Sequence, residues 1–289
     1  MRVIHSIKTL QRTLRTLREQ GKSVAFVPTM GYFHQGHLQL MREAKRSCDV
    51  CVVSIYVNPA QFGAREDLSR YPRNLKRDSS LARKENVDIV FAASDNEIYP
   101  SGYLTYIDVK QISGVLCGAY RPGHFQGVAT IVAKLLNIVR PDVMFLGAKD
   151  AQQVVVLKKM VLDLNFPVRI IVSKTVREKD GLALSSRNVF LSVEQRKQAV
   201  CLNEALEAAK KRIKQGERRV DRLIAEMRNM ITKYSLAKIQ YVACVNALDL
   251  SRINKVSGEV LIALAVYFGK TRLIDNAVVK INDSKTIKD

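Results

Sequence analysis

The feature that most constrains this chain is a strand, a helix and a second strand joined by short links near its start. Val24–Val27 is a short apolar run that reads as a buried strand, with Pro28 ending it. Gly36–Ser47 carries Leu38, Leu40, Met41 and Ala44 as the apolar positions of a helix, and Cys51–Val57 reads as the next buried strand. A βαβ unit of this kind implies a parallel sheet. An amphipathic helix over 5–20, marked by Ile7, Leu10, Leu14 and Leu17 and stopped by Gly21, precedes it. The alternation then continues through helix Leu75–Glu85, strand Val87–Ala92, helix Val128–Val139, strand Val143–Leu146, helix Ala151–Leu164 and strand Val168–Val172. The pattern predicts an α/β fold, a Rossmann-like doubly wound parallel sheet, over residues 1–175.

Beyond that point the order changes. Val193–Gln215 and Val220–Tyr234 read as helices rich in Lys, Arg and Glu, followed by strands Ile239–Val245, Val260–Tyr267 and Leu273–Val279. Helices followed by a run of strands predict a smaller C-terminal α+β domain, 176–289, with the boundary in Ser-Lys-Thr-Val-Arg-Glu-Lys-Asp-Gly near 175–180. The Lys-rich last residues read as a frayed tail.

Composition narrows the class. With 47% of 289 residues hydrophobic, the chain can bury a sizeable core. No apolar run reaches the roughly 18 residues that a membrane span needs, and the start has no secretory pattern, so a cytoplasmic protein without a membrane partner is expected. The net charge of +20 favours anionic partners. Its Lys and Arg are spread out, however, without a basic stripe interleaved with aromatics, which points to small anions and not to nucleic acid. Five cysteines, an odd number, argue against a disulfide framework. Cys48-Asp49-Val50-Cys51 has C-x-x-C spacing but no second pair for zinc and no helix start for redox work, so it reads as core packing. Gly21-Lys22-Ser23 imitates the end of a P-loop, but Thr16 stands where the first glycine belongs.

Ligands of open parallel sheets sit outside the carboxyl ends of the strands. After the first strand comes Met30-Gly31-Tyr32-Phe33-His34-Gln35-Gly36-His37, running into a helix start. A helix start offers N–H groups and partial positive charge to phosphate, and His34 and His37, two of only four histidines, could face the same anion. Zinc between them would need a third ligand, and none is near in sequence. After the second strand, Asn58-Pro59-Ala60-Gln61 offers uncharged amides that can orient a hydroxyl or a carboxylate. After the strand at 143–146, Gly147-Ala148-Lys149-Asp150-Ala151-Gln152-Gln153 opens another helix. Lys149 suits phosphate there, and Asp150 suits a helix cap, a magnesium ion or a ribose. Leu184-Ser185-Ser186-Arg187-Asn188 can be either a phosphate clamp or a helix-capping loop.

These stretches in this order resemble the pantoate–β-alanine ligase (pantothenate synthetase) family of the nucleotidyl transferase superfamily. The resemblance rests on Pro28-Thr29-Met30-Gly31 with His34-x-Gly36-His37, Ser54–Pro59 with Gln61-Phe62-Gly63, Tyr71-Pro72-Arg73 and His124-Phe125-x-Gly127-Val128. It continues through Gly147-x-Lys149-Asp150-x-Gln152-Gln153 and Thr175–Glu178 with Asp180–Ala183, running into Ser185–Asn188. It is close over about residues 1–192. It implies that ATP and pantoate give pantoyl adenylate and pyrophosphate, that β-alanine attacks the acyl carbon, and that AMP and pantothenate leave. It implies magnesium with ATP and a cytoplasmic homodimer whose smaller domain is a lid. By resemblance, Met30–His37, Gly147, Ala148, Lys149, Asp150, Val176, Leu184, Ser185, Ser186 and Arg187 line the ATP site. Within that set His34, His37, Lys149, Ser185, Ser186 and Arg187 carry the chemistry, with His37 as proton donor. Gln61, Gln153, Asn58, His124 and Tyr71 form the pantoate and β-alanine set, and Asp78 resembles a position near magnesium. Three departures stand out. The family commonly has Glu at Ala148, Tyr at Ala151 and Met at Leu184; Leu for Met is nearly volume-neutral.

Two other readings differ in what they predict. A nucleotidyl transferase acting on nucleic acid would lose activity steeply with salt. A regulatory nucleotide-binding protein decayed at Ala148 would bind ATP without releasing pyrophosphate.

Overall fold

The computed structural model describes residues 1–64 and 66–281; the Lys-rich tail lies outside the described residues. In chain order the elements of the first part are β1 (Arg2–Ile4), α1 (Ile7–Glu19), β2 (Val24–Thr29), α2 (Gln35–Ser47), β3 (Val50–Ile55), α3 (Leu75–Lys84) and β4 (Ile89–Phe91). Two short helices, α4 (Asp95–Ile98) and α5 (Cys117–Tyr120), lead to α6 (His124–Val139), β5 (Val143–Gly147), α7 (Ala151–Asp163) and β6 (Arg169–Ser173). The second part holds α8 (Val193–Gln198), α9 (Cys201–Lys214), α10 (Val220–Ile231), β7 (Ala237–Asn246), β8 (Glu259–Phe268) and β9 (Thr271–Lys280).

The chain forms two compact units. The first comprises 1–114, 118–148 and 156–175; the second comprises 115–117, 149–155 and 176 onward. In the first, six strands pair in the order β1-β4-β3-β2-β5-β6, every pair parallel. This is the doubly wound α/β fold, and it reverses direction at β2, which has β3 on one side and β5 on the other. The carboxyl ends of β2 and β5 therefore flank the switch-point crevice where such sheets bind ligands. In the second unit, β7-β8-β9 form an antiparallel meander. Val260, Ile262, Leu264, Val266 and Phe268 on alternate positions of β8 bury one sheet face against Leu202, Leu206, Leu223 and Met227 of α9 and α10. Among the described residues no helix is long and apolar enough to cross a membrane.

Several elements differ from the sequence expectation for identifiable reasons. β2 continues through Pro28 to Thr29. β5 pairs with β2 only at Ala25 and Phe26, so Pro28 faces β3 alone and its missing N–H falls at a local edge. α6 starts at His124, four residues before the expected start, because Gly127 is a packing requirement and not a helix breaker. A Cβ on Gly127 would lie 2.2 Å from the Ala60 carbonyl oxygen. The expected helix 193–215 is two helices, tightened at Ala199–Val200 where Leu202 and Asn203 donate to carbonyls three residues back. β1 has no signature in the sequence because three residues carry no period.

The cysteines are free thiols. Cys48 caps the end of α2 and Cys51 lies inside β3. Burial first, with Asp88 adding to it, pushes the Cys51 thiol up to about 12, which suits packing and not reactivity.

Gly127→Ala forces the α6 start away from the 58–61 turn. Overpacking against backbone costs about 3 kcal/mol. Urea denaturation should show a loss of unfolding free energy of that size, whereas Gly114→Ala, where a Cβ would meet nothing closer than the Gln111 carbonyl at 3.7 Å, should change stability far less.

Candidate active site

In the first unit the candidate residues begin at the end of β2. The chain leaves Thr29, turns through Gly31 (φ +81°) and Tyr32 (φ +51°), and enters α2. Left-handed backbone at a tyrosine is uncommon and needs an anchor. Asp78, 1% exposed on α3, supplies it. Its carboxylate accepts from the Tyr32 and Phe33 N–H groups at 2.6 and 2.9 Å, and Arg77 Nη1 lies 3.1 Å away. Arg77 also donates to the Phe33 carbonyl and sits over the Tyr32 ring. From the other side Thr29 Oγ1 donates to the Ser54 carbonyl and accepts from Gly31 N–H.

The two histidines cap α2 reciprocally. His34 is the N-cap, and its Nδ1 accepts from the backbone N–H of Gly36 at 3.1 Å. His37 Nδ1 accepts in turn from the N–H of His34 at 3.3 Å. This is a capping box in which imidazoles take the part usually played by Ser and Glu. An Nδ1 that accepts from backbone N–H carries no proton, so in the neutral ring Nε2 carries it. Each histidine is thereby fixed as an Nε2–H donor at a helix start. The rings lie 4.1 Å apart at 39°. Gly36 is required between them, since a Cβ there would be 2.9 Å from the His34 ring.

Beside this turn the residues after β3 form a buried amide cluster. Asn58, 1% exposed, donates to Gln61 Oε1 and to the Gly127 carbonyl. Its own oxygen accepts from Tyr99 Oη and from Ala60 N–H. All four of its hydrogen-bonding positions are thus used, one of them to hold Gln61. Gln61 Nε2 points at Met30 Sδ, 3.1 Å away. His124 Nδ1 is 2.8 Å from the Gln61 carbonyl, and its Nε2 is 3.1 Å from Arg121 Nη1, which makes Nδ1 the protonated nitrogen in the neutral ring. Arg121 is itself paired with Glu66. Tyr71 is buried edge-on against Phe62.

The second unit holds the other set. Val176 and Leu184 lie side by side, because 176–184 is a small hairpin: Leu184 N–H donates to the Val176 carbonyl, Arg177 bridges Ala183, and Gly181 (φ +96°) makes the turn. Ser185 then caps the turn Ser186–Phe190, accepting from Arg187 N–H. Both readings of this loop therefore stay compatible, since capping occupies the Ser185 oxygen as acceptor only. Lys149 sits in a single turn, Ala148–Asp150, before α7, with its ammonium 3.7 Å from Asp150 and its carbonyl bonded to Asn276 Nδ2 at 2.7 Å. Gln153 lies in the first turn of α7, half-buried. Its neighbour Gln152 ties that turn to the 115–117 segment, accepting from Cys117 N–H and donating to the Val115 carbonyl.

The structure thus gathers Met30–His37, Gln61, Asn58, His124 and Asp78 in one unit and Lys149, Asp150, Gln153, Val176 and Leu184–Arg187 in the other. The sequence did not point to Arg77, Tyr99, Arg121 or Glu66, whose roles lie in contacts between distant segments. Asp78, expected near magnesium, has both oxygens engaged by the Met30–Phe33 turn. Among the described residues no three His, Cys, Asp or Glu stand together as a metal site. Asp78→Ala leaves two inward N–H groups without an acceptor and should cost about 3 kcal/mol. Chemical denaturation checks the size, and Asp78→Asn should lose less because one amide oxygen still accepts.

Comparison with known proteins follows the same architecture. The family model described as pantoate-beta-alanine ligase matches residues 2–278. A pantothenate synthetase of Heliobacterium modesticaldum is 52% identical over 281 residues, covering 97% of this chain and 100% of the relative. That of Syntrophomonas wolfei is 51% identical over 282 residues, with 97% and 100% covered. A crystal structure of the Thermus thermophilus enzyme superposes with TM-score 0.92 at 42% identity, covering 96% of this chain and 99% of that one. A Francisella tularensis pantoate-beta-alanine ligase, crystallised with beta-gamma ATP and beta-alanine, gives TM-score 0.78 at 36% identity, with 96% and 97% covered. With a family model spanning nearly its whole length and relatives at about half identity, this chain belongs to the pantoate–β-alanine ligase family of enzymes.

Proposed function

We propose that this chain condenses pantoate with β-alanine in two steps, driven by ATP. The pantoate carboxylate attacks the α-phosphorus, giving pantoyl adenylate and releasing pyrophosphate. The β-alanine amine then attacks the acyl carbon, the C–O bond to phosphate breaks, and AMP and pantothenate leave. The adenylate is the activated species, so no residue need form a covalent bond to substrate.

The observation that carries this reading is the reciprocal His34–His37 cap. It fixes two Nε2–H donors and a helix start at the switch point of the sheet, where charge on phosphate oxygens would be stabilised without reorganisation. His37 acts as proton donor to the departing phosphate. Met30–His37 with Gly147 and Ala148 in the first unit, and Lys149, Asp150, Val176 and Leu184–Arg187 in the second, serve ATP. Gln61, held by Asn58, His124 and Arg121, and Gln153 serve pantoate; Gln61 also serves β-alanine, and Tyr71 backs the pocket through Phe62. The Francisella relative that holds both ATP and β-alanine supports this pair of substrates.

Magnesium belongs to the proposal as the companion of ATP. The donor set fits an ion brought by the nucleotide phosphates better than a resident one: Asp78 is engaged in structure, and Asp150 is the half-exposed carboxylate beside Lys149. The proposal includes a homodimer, a cytoplasmic location, residues 1–175 as the catalytic domain and 176–289 as the smaller lid domain; the free thiols suit a reducing compartment.

Pyrophosphate release by the purified protein with ATP, magnesium and pantoate tests the reading. Turnover should require β-alanine and yield AMP and pantothenate, and the rate should be nearly independent of salt. ATP binding without pyrophosphate release would overturn it. Lys149→Ala should lower kcat by about 100-fold, the scale of losing one preorganised donor. Ala148→Glu should change kcat by less than about threefold, because the Lys149 backbone and ammonium already have partners in Asn276 and Asp150.

A further inference from the structure

β9 reads Thr-Arg-Leu-Ile-Asp-Asn-Ala-Val-Val-Lys, and its two adjacent polar residues, Asp275 and Asn276, are 2% and 9% exposed. Burying polar groups is costly unless each is paired, so a strand that carries two in succession does so for placement. Successive side chains of a strand point to opposite faces. Asp275, opposite Leu264 in the register, shares the face that packs on the helices; Asn276, opposite Ala263, points the other way.

Each reaches a different piece of the set assigned to ATP. The Asp275 carboxylate takes Arg177 in a fork, with Nη1–Oδ2 at 2.6 Å and Nη2–Oδ1 at 2.9 Å, and Arg177 Nη1 also donates to the Gly181 carbonyl at 3.0 Å. That fork fixes the first strand and the turn of the hairpin that presents Val176 and Leu184. Asp275 Oδ1 further accepts from the N–H of Asn276, which sets the Asn276 backbone. Asn276 Nδ2 donates to the Lys149 carbonyl at 2.7 Å. Lys149, Ser185, Asn188 and Asp275 meet around one small cavity. Two consecutive residues of one strand thus tie together the Lys149 turn and the 176–184 hairpin, which are separated in the chain by α7 and β6.

We infer that Asp275 and Asn276 are positioning residues for adenylate formation: Asn276 fixes the Lys149 turn through its carbonyl, and Asp275 fixes the Val176–Leu184 hairpin through Arg177. The inference rests on the proposed function for its kinetic consequence, and on geometry alone for its structural one. Neither residue belongs to the motifs that carry the family resemblance.

Two readouts test it. In hydrogen exchange, which needs no activity, Asn276→Ala should speed exchange at least tenfold in the peptide over 148–154 and leave the β7–β8 peptides protected. Unchanged exchange at 148–154 would overturn the inference whatever the enzyme does. In pyrophosphate release, Asn276→Ala should lower kcat about tenfold with the KM for β-alanine within twofold of the parent. In the Lys149→Ala background the same change should have almost no further effect, since a residue acting through Lys149 is silent once Lys149 is gone. Equal losses in both backgrounds would mean that Asn276 serves general stability and would overturn the inference. Asn276→Ser, too short to reach the Lys149 carbonyl but polar, should behave as Asn276→Ala does and covers the case in which the alanine variant melts too early. A parent that releases no pyrophosphate would sink the proposed function alone, leaving the exchange experiment to decide this point.

Discussion

The arrangement at the end of β2 depends on one reciprocal hydrogen-bonded cap. His34 and His37 each give an Nδ1 to a backbone N–H of the same helix start. That exchange settles ring orientation, tautomer and the beginning of α2 together. It explains why Gly36 stands between them, because any Cβ would strike the His34 ring. It also explains why Asp78 is buried, because the turn entering the cap needs left-handed backbone at Tyr32 and a fixed acceptor to hold it. The sheet supplies the place, the helix supplies the partial charge, and the histidines supply donors whose direction the fold has already chosen.

A connected set of polar groups lies beside this cap, joined to it where Gln61 meets Met30. Asn58, His124, Arg121, Glu66 and Tyr99 form connected hydrogen bonds whose common object is Gln61. Such networks are stable only when every member is satisfied, and their effect is a unique geometry. In the second unit Arg177, Asp275 and Asn276 do the same for Lys149 and the 176–184 hairpin.

Much of the architecture was legible because periodicity is local. Leu38, Leu40, Met41 and Ala44 announce α2, and the apolar runs around Val24 and Val52 announce adjacent parallel strands. The boundaries were less legible where tertiary contacts override propensity. Pro28 looks like a stop until β5 is seen to have left that part of β2 unpaired. Gly127 looks like a helix breaker until the Ala60 carbonyl is seen against it. The candidate site shows the same division. The histidine pair and Lys149 follow strands in sequence and could be picked out there. Asp78 could be placed near the site but not given its structural task, since that task consists of contacts to residues more than a helix away. Asp275 and Asn276 stand out in sequence only as two polar residues in an otherwise apolar strand, and their partners, Arg177 and Lys149, lie too far along the chain to be read there.

The switch-point crevice is closed by Ala25 and Phe26 pairing with Val143 and Met144, two segments far apart in the chain. During synthesis β2 and β3 can pair early, but β2 must wait with an open apolar edge until the ribosome has delivered β5. Local helices and the β2–β3 pair can form while that edge stays exposed, so the slow, aggregation-sensitive interval of folding falls before the binding crevice exists. Pro28, at the end of that waiting edge, offers no N–H for a stray strand to pair with. The residue that reads as a break in the strand therefore also guards it during the time when it has no neighbour.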